Sequence, residues 1–230
     1  MSKRRCGSHK MRTTTAKDHQ GWIFPSTSLG LVVVLAVLLV HYSGCGPLHA
    51  QDQEVPPEPT PLVIQQDEEA RTISIYRAGE ETPILTQHAR PDFRPYLHPI
   101  AAPDGRGVLT EYSPGHHPHQ TGLYWGFTRV NGRDYFHHPG AEYWDRVSAD
   151  VLKPEGEEVS WQTVYNLLDE DGDVVLTETQ TWTMQERDGM YVLDLQWQGK
   201  AYTDVTIGKY DYGGLFLRMP WREGIEGSVV

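Results

Sequence analysis

Three of the chain's eleven histidines fall within four residues, in Gly115-His116-His117-Pro118-His119-Gln120. His137 and His138 follow after a short turn, and His98 lies upstream. Imidazole titrates near neutrality and is the commonest metal ligand, so two chemistries are open. In the first, His117 or His119 moves a proton to or from a ligand hydroxyl, paired with a carboxylate from Glu111, Glu142 or Asp145. In the second, an extended His-x-His places alternate side chains on one face, so His117 and His119 bind a single divalent ion such as zinc, copper or iron. Pro118 favours extended backbone at its predecessor. A third ligand is then sought among His116, His98, His137, Glu111 and Asp145. The bland alternative is that these histidines cap turns in a loop.

Around them stand residues suited to holding a small polar ligand. Tyr124, Trp125, Tyr135 and Trp144 are aromatics that could stack on a sugar ring. Arg94, Tyr96 and His98 share one face if that segment is a strand, and Arg94 could then grip a carboxylate or phosphate. The expected ligand-binding set is Arg94, His98, Tyr124, Trp125, His137 and His138.

The elements that must position these groups read as β-structure. Arg71 to Arg77 alternates Ile73 and Ile75 with polar neighbours. Gly122 to Val130 reads as a strand ending at Asn131-Gly132, the preferred tight-hairpin dipeptide. A return through Arg133 to Phe136 would bring His137 and His138 back towards His117 and His119. The last third reads as a meander: Val159 to Leu168, Val174 to Gln185 and Tyr191 to Gln198, separated by Asp169-Glu170-Asp171-Gly172 and Asp188-Gly189. The acidic cluster at Asp169 to Asp173 lacks the spacing and closing Glu of a calcium loop, so it reads as a turn. Gly213 to Met219 reads as a further strand. Many short strands and no amphipathic helix predict an all-β antiparallel sandwich over residues 62–230.

The first fifty residues are of another kind. Lys3, Arg4, Arg5, Lys10, Arg12 and Lys17 precede the apolar run Leu29 to Val40, and Leu48-His49-Ala50 ends in a small residue. This is the layout of a secretory signal peptide. A single hydrophobic anchor over residues 22–44 and a lipidated Cys45 after Tyr42-Ser43-Gly44 are the alternatives. Each predicts an exported domain in the periplasm or cell envelope, touching membrane only through this segment. Gln51 to Pro61 reads as a proline-rich linker. The leader holds six of the 20 Lys and Arg and one of the 31 acids, so residues 51–230 carry 14 basic against 30 acidic side chains, a net charge of −16. That field repels polyanions and argues against nucleic acid as a partner. Both cysteines, Cys6 and Cys45, lie in the leader, so no disulfide or thiolate chemistry serves the domain.

Four segments in order resemble a known family: Arg94-Pro95-Tyr96-Leu97-His98-Pro99-Ile100, His117-Pro118-His119, Gly122-Leu123-Tyr124-Trp125-Gly126 and Val130-Asn131-Gly132. They are similar to bacterial secreted proteins of the PmoA-like family, labelled "methane oxygenase PmoA". The family's histidine motif reads closer to HPHHRGLW, and here Gln120 and Thr121 stand for its last His and its Arg. The resemblance implies a secreted domain of unknown activity, with a C-terminal part beyond this chain. The fold it suggests is the mutarotase-type supersandwich, and with it a carbohydrate-related small-molecule ligand. A bundle of spanning helices, which the family label would suggest, is excluded by the single apolar stretch. The functional expectations are therefore a histidine acid–base pocket, a mononuclear metal site, or a non-catalytic envelope binding module.

Overall fold

A computed structural model describes residues 60–220. The expected leader, most of the linker and the last ten residues lie outside the described residues. Among the described residues no helix is long and apolar enough to cross a membrane, and all regular structure is β. The strands are β1 (Leu62–Asp67), β2 (Thr72–Arg77), β3 (Leu85–His88), β4 (Tyr96–Ile100), β5 (Leu123–Gly126), β6 (Trp144–Lys153), β7 (Glu155–Gly156), β8 (Glu158–Leu168), β9 (Val174–Arg187), β10 (Met190–Ala201) and β11 (Gly214–Leu217).

They form two antiparallel sheets, one in the order β11-β5-β4-β3-β2-β1-β7 and one in the order β10-β9-β8-β6. Alternation dictates which face each sheet buries. Ile73, Ile75, Leu85, Leu97 and Leu123 of the first sheet meet Val159, Trp161, Trp182 and Met184 of the second in one buried cluster. Each such large side chain contributes about 1.5–3 kcal/mol by leaving water. The expected all-β class and the three-strand meander are both present.

The turns follow their residues. Asn131 and Gly132 sit at φ 51° and 85°, and Asp188 and Gly189 at 52° and 70°, the left-handed pairs that tight hairpins require. In the acidic loop Asp169 Oδ1 accepts from the amides of Asp171 and Asp173, which makes it a capped turn.

The strand expected over residues 122–130 is shorter, because regular pairing stops at Gly126. There the chain presses on Phe136: a Cβ at Gly126 would lie 3.2 Å from Phe136 Cα. Beyond it, the backbone is taken up by the segment before β11, with Gly208 donating to the Arg129 carbonyl and Asn131 to that of Thr206. The hairpin return survives as Arg133 and Val130 exchanging both backbone bonds, with Tyr135 donating to Phe127.

Gly122 carries the tightest backbone approach in the fold. Its φ is +95°, and a Cβ there would lie 2.4 Å from the Leu97 carbonyl oxygen. Leu97 and Leu123 are the one register pair joining β4 to β5. Gly122→Ala is therefore expected to lower stability by about 2 kcal/mol, from backbone strain plus displacement of that joint. Gly132→Ala, with φ +85° but open space around it, should cost only the conformational term of about 1 kcal/mol. Urea denaturation of both variants checks the difference, and equal losses would remove the close approach as the cause.

Candidate functional site

The histidine segment is not extended. Residues 113–120 form a closed loop of consecutive turns. Ser113, at φ 48°, donates through its amide to the Gln120 carbonyl and through Oγ to the Pro118 carbonyl. His117 donates to Pro114, and Gln120 to His117. The alternate-face geometry expected of His117 and His119 is absent for that reason. Their rings stand edge to face with centroids 5.8 Å apart.

The loop does bring His119 to the other histidine group, as the hairpin predicted. The rings of His119 and His137 are 4.5 Å apart. His137 is held by a residue that sequence reasoning missed. Asp134 Oδ1 accepts from the amides of Phe136 and His137, and its Oδ2 lies 2.7 Å from His137 Nδ1. On the other side of the ring, His137 Nε2 lies 2.9 Å from the Tyr212 hydroxyl. A carboxylate can only accept, so Nδ1 carries the proton and Nε2 accepts from Tyr212. The result is a chain, Tyr212 O–H to His137 to Asp134, that opens on a recess of ≈270 Å³. The recess is lined by His117, His119, Gln120, Phe136, His137, Tyr212 and Phe216. Its volume lies just under the usual range for small-molecule sites.

The electrostatics set the protonation states. Burial, with help from His137 and Arg94, lowers His119 to about 4, so its ring is neutral at pH 7. Desolvation, the Tyr210 hydroxyl and the carboxylates of Asp134 and Asp211 raise Tyr212, so its phenol stays protonated.

Residues 69–230, which include every group of this recess, match DUF6807, described as a family of unknown function. The chain belongs to the DUF6807 family. No curated protein and no solved structure matches it.

In this DUF6807 chain several expected site residues do other work. Arg94 cannot hold a ligand anion, because it is fully buried. Its guanidinium donates to the carbonyls of Phe136 and His119 and to Thr121 Oγ1, and lies 3.5 Å from the Tyr124 ring centroid. Burial lowers it to about 10, still charged at neutrality. Tyr124, Tyr135 and Trp144 are core side chains and offer no surface to a sugar. Glu111 is paired with Arg218 at 2.8 Å, and Arg218 also donates to Gln120 Oε1. It does not line the recess, so it is not the partner of His117 or His119. Asp145 accepts from Asn166 on the second sheet, and Glu142 is exposed away from the recess.

His98 faces elsewhere, with Nδ1 2.9 Å from Thr110 Oγ1 and its carbonyl bonded to His88. His138 is exposed and stacks on Tyr143. Trp125 stacks on Trp197 and does not line the recess. Among the described residues no three His, Cys, Asp or Glu side chains converge to hold a metal ion. Thr121 and Gln120, which depart from the PmoA-like motif, serve as acceptors for Arg94 and Arg218. The signal for Asp134 was its place three residues before His137, where an Asx cap forms. Tyr212 had none, being brought to His137 from 75 residues away.

Proposed function

We propose that this chain is an exported, PmoA-like β-domain whose histidine recess binds or modifies a small polar ligand of carbohydrate type by acid–base chemistry. The observation that carries this reading is the Tyr212–His137–Asp134 chain ending in a small recess beside a neutral His119. A ligand hydroxyl approaching Tyr212 gives its proton to the phenol oxygen as the phenol's own proton passes to His137 Nε2. Asp134 then faces an imidazolium, which it stabilises. His119 is positioned as the hydrogen-bonding group that orients the ligand, and His117 stands exposed at the rim. Export is supported by the leader layout. The two facing antiparallel sheets are compatible with a mutarotase-type supersandwich, which supports a sugar-related ligand by analogy of fold alone.

The test needs no substrate. Asp134→Asn keeps Oδ1 as the cap acceptor but turns Oδ2 into a donor. His137 should then move its proton to Nε2 and donate to Tyr212, reversing the chain. Nitrogen chemical shifts of His137 are expected to show Nδ1–H in the wild type and Nε2–H in the variant. An unchanged tautomer would sink the relay. Near-stoichiometric zinc or copper that survives desalting and is lost in His117→Ala/His119→Ala would replace it with a metal site.

A further inference from the structure

Tyr212 is shared by two depressions. It lines both the histidine recess and a cleft of ≈410 Å³ whose lining includes Trp125, Phe127, Arg129, Lys209 and Tyr210. The cleft has the two features that grip a charged sugar. Its walls are aromatic: Trp125 is fixed flat against Trp197 with centroids 5.4 Å apart, and Phe127 stands edge-on to both. Its rim is basic. The Arg129 guanidinium lies 5.0 Å from the Tyr210 ring centroid, and Lys209 is exposed beside it. Neither makes an ion pair among the described residues, so both charges are open to a ligand.

In a domain with 30 acidic and 14 basic groups, a cleft lined by two cations and no carboxylate is a local excess of positive charge. The distribution also orients a ligand. The Asp134 carboxylate, 2.7 Å from His137 Nδ1, stands at the histidine end and disfavours an anion there. The charges of Arg129 and Lys209 favour an acidic group at the other end.

We propose that the aromatic cleft is a second subsite of the histidine site, taking a hexuronate unit whose neutral neighbour occupies the recess. This rests on the carbohydrate reading above and adds the ligand's length, charge and direction. Stacking on an aromatic wall holds the ring, and a guanidinium takes the carboxylate with two parallel hydrogen bonds.

The test is calorimetric titration of the full-length chain with di- to tetrasaccharides containing galacturonate or glucuronate, and with the same oligosaccharides after carboxyl reduction. The acidic set should bind about tenfold more tightly at low salt, with the gap closing as salt rises. Arg129→Gln/Lys209→Met, both at exposed positions, should abolish the gap and leave affinity for the reduced set unchanged. Equal affinity for the two sets, a gap that persists in the double variant, or no binding by either set would overturn the subsite. The His137 tautomer measurement judges the histidine recess separately, so the subsite can fail while the relay stands.

Discussion

Arg94→Ala is expected to cost the domain about 3–5 kcal/mol and to disassemble the histidine recess with it. The guanidinium ties three segments together: its own stretch before β4, the histidine loop at His119 and Thr121, and the hairpin return at Tyr135 and Phe136. Truncation strands those acceptors without a donor in a region closed to water, and empties the face of Tyr124. Arg94→Lys separates charge from geometry. An ammonium keeps the charge but cannot span the His119 and Phe136 carbonyls in one plane, so roughly half of the loss should remain. Guanidinium chloride denaturation gives the energies, and ring-to-ring NOEs between His119 and His137 report the site. A loss under about 1 kcal/mol with those NOEs intact would show that the loop is held by other means.

The role of Arg94 shows where legibility ends. Local patterns were readable because their causes are local. Asn131-Gly132 and Asp188-Gly189 must turn, since glycine and asparagine or aspartate tolerate positive φ. Tyr191, Leu193, Leu195 and Trp197 alternate because β10 buries one face. The return of His137 towards His119 was readable from the hairpin, although the loop closure and Arg94 that complete the encounter were not. What failed depended on contacts distant in sequence. Arg94 looks like a surface cation until the carbonyls that surround it are known. Tyr124 and Trp125 are adjacent in β5 and face opposite ways, so one becomes the floor under Arg94 and the other a cleft wall. His117-Pro118-His119 reads as extended because Pro118 favours it, but the closure of Ser113 onto Gln120 and Pro118 overrides that preference.

The inner face of β9 carries polar side chains where the alternation places the core. Glu178 and Gln180 occupy the positions in line with Trp182 and Met184, and all four are buried. Glu178 accepts from Trp197 Nε1 at 3.0 Å and from Gln180 Nε2 at 2.6 Å. Those bonds and the charge of Arg94 favour the carboxylate, yet burial outweighs them and raises Glu178 to about 7.

Glu178→Gln is accordingly expected to steepen the rise of the domain's stability with pH in mildly acidic solution. An acid whose folded value lies above its unfolded value contributes stability that is fully present below the unfolded value, near 4.5, and is lost as pH rises to about 7. For Glu178 that loss is about 2–3 kcal/mol. His119 works the other way. Its folded value of about 4 lies below the ordinary 6.5, so its stability is present above 6.5 and lost as pH falls towards 4. In the wild type the two trends oppose each other across the same interval. A glutamine side chain in place of Glu178 would keep the shape and an acceptor for Trp197 but cannot titrate, which leaves the His119 trend exposed. Urea midpoints between pH 4.5 and 7.5 should therefore rise with pH more steeply in Glu178→Gln than in the wild type. His119→Gln should instead give midpoints that fall as pH rises, because it leaves the Glu178 trend alone. Parallel curves for wild type and Glu178→Gln would mean that the carboxyl stays ionised in the core throughout. Arg94, the cation that favours that ionised form, would then be coupled to Glu178 strongly enough to hold both ends of the polar core.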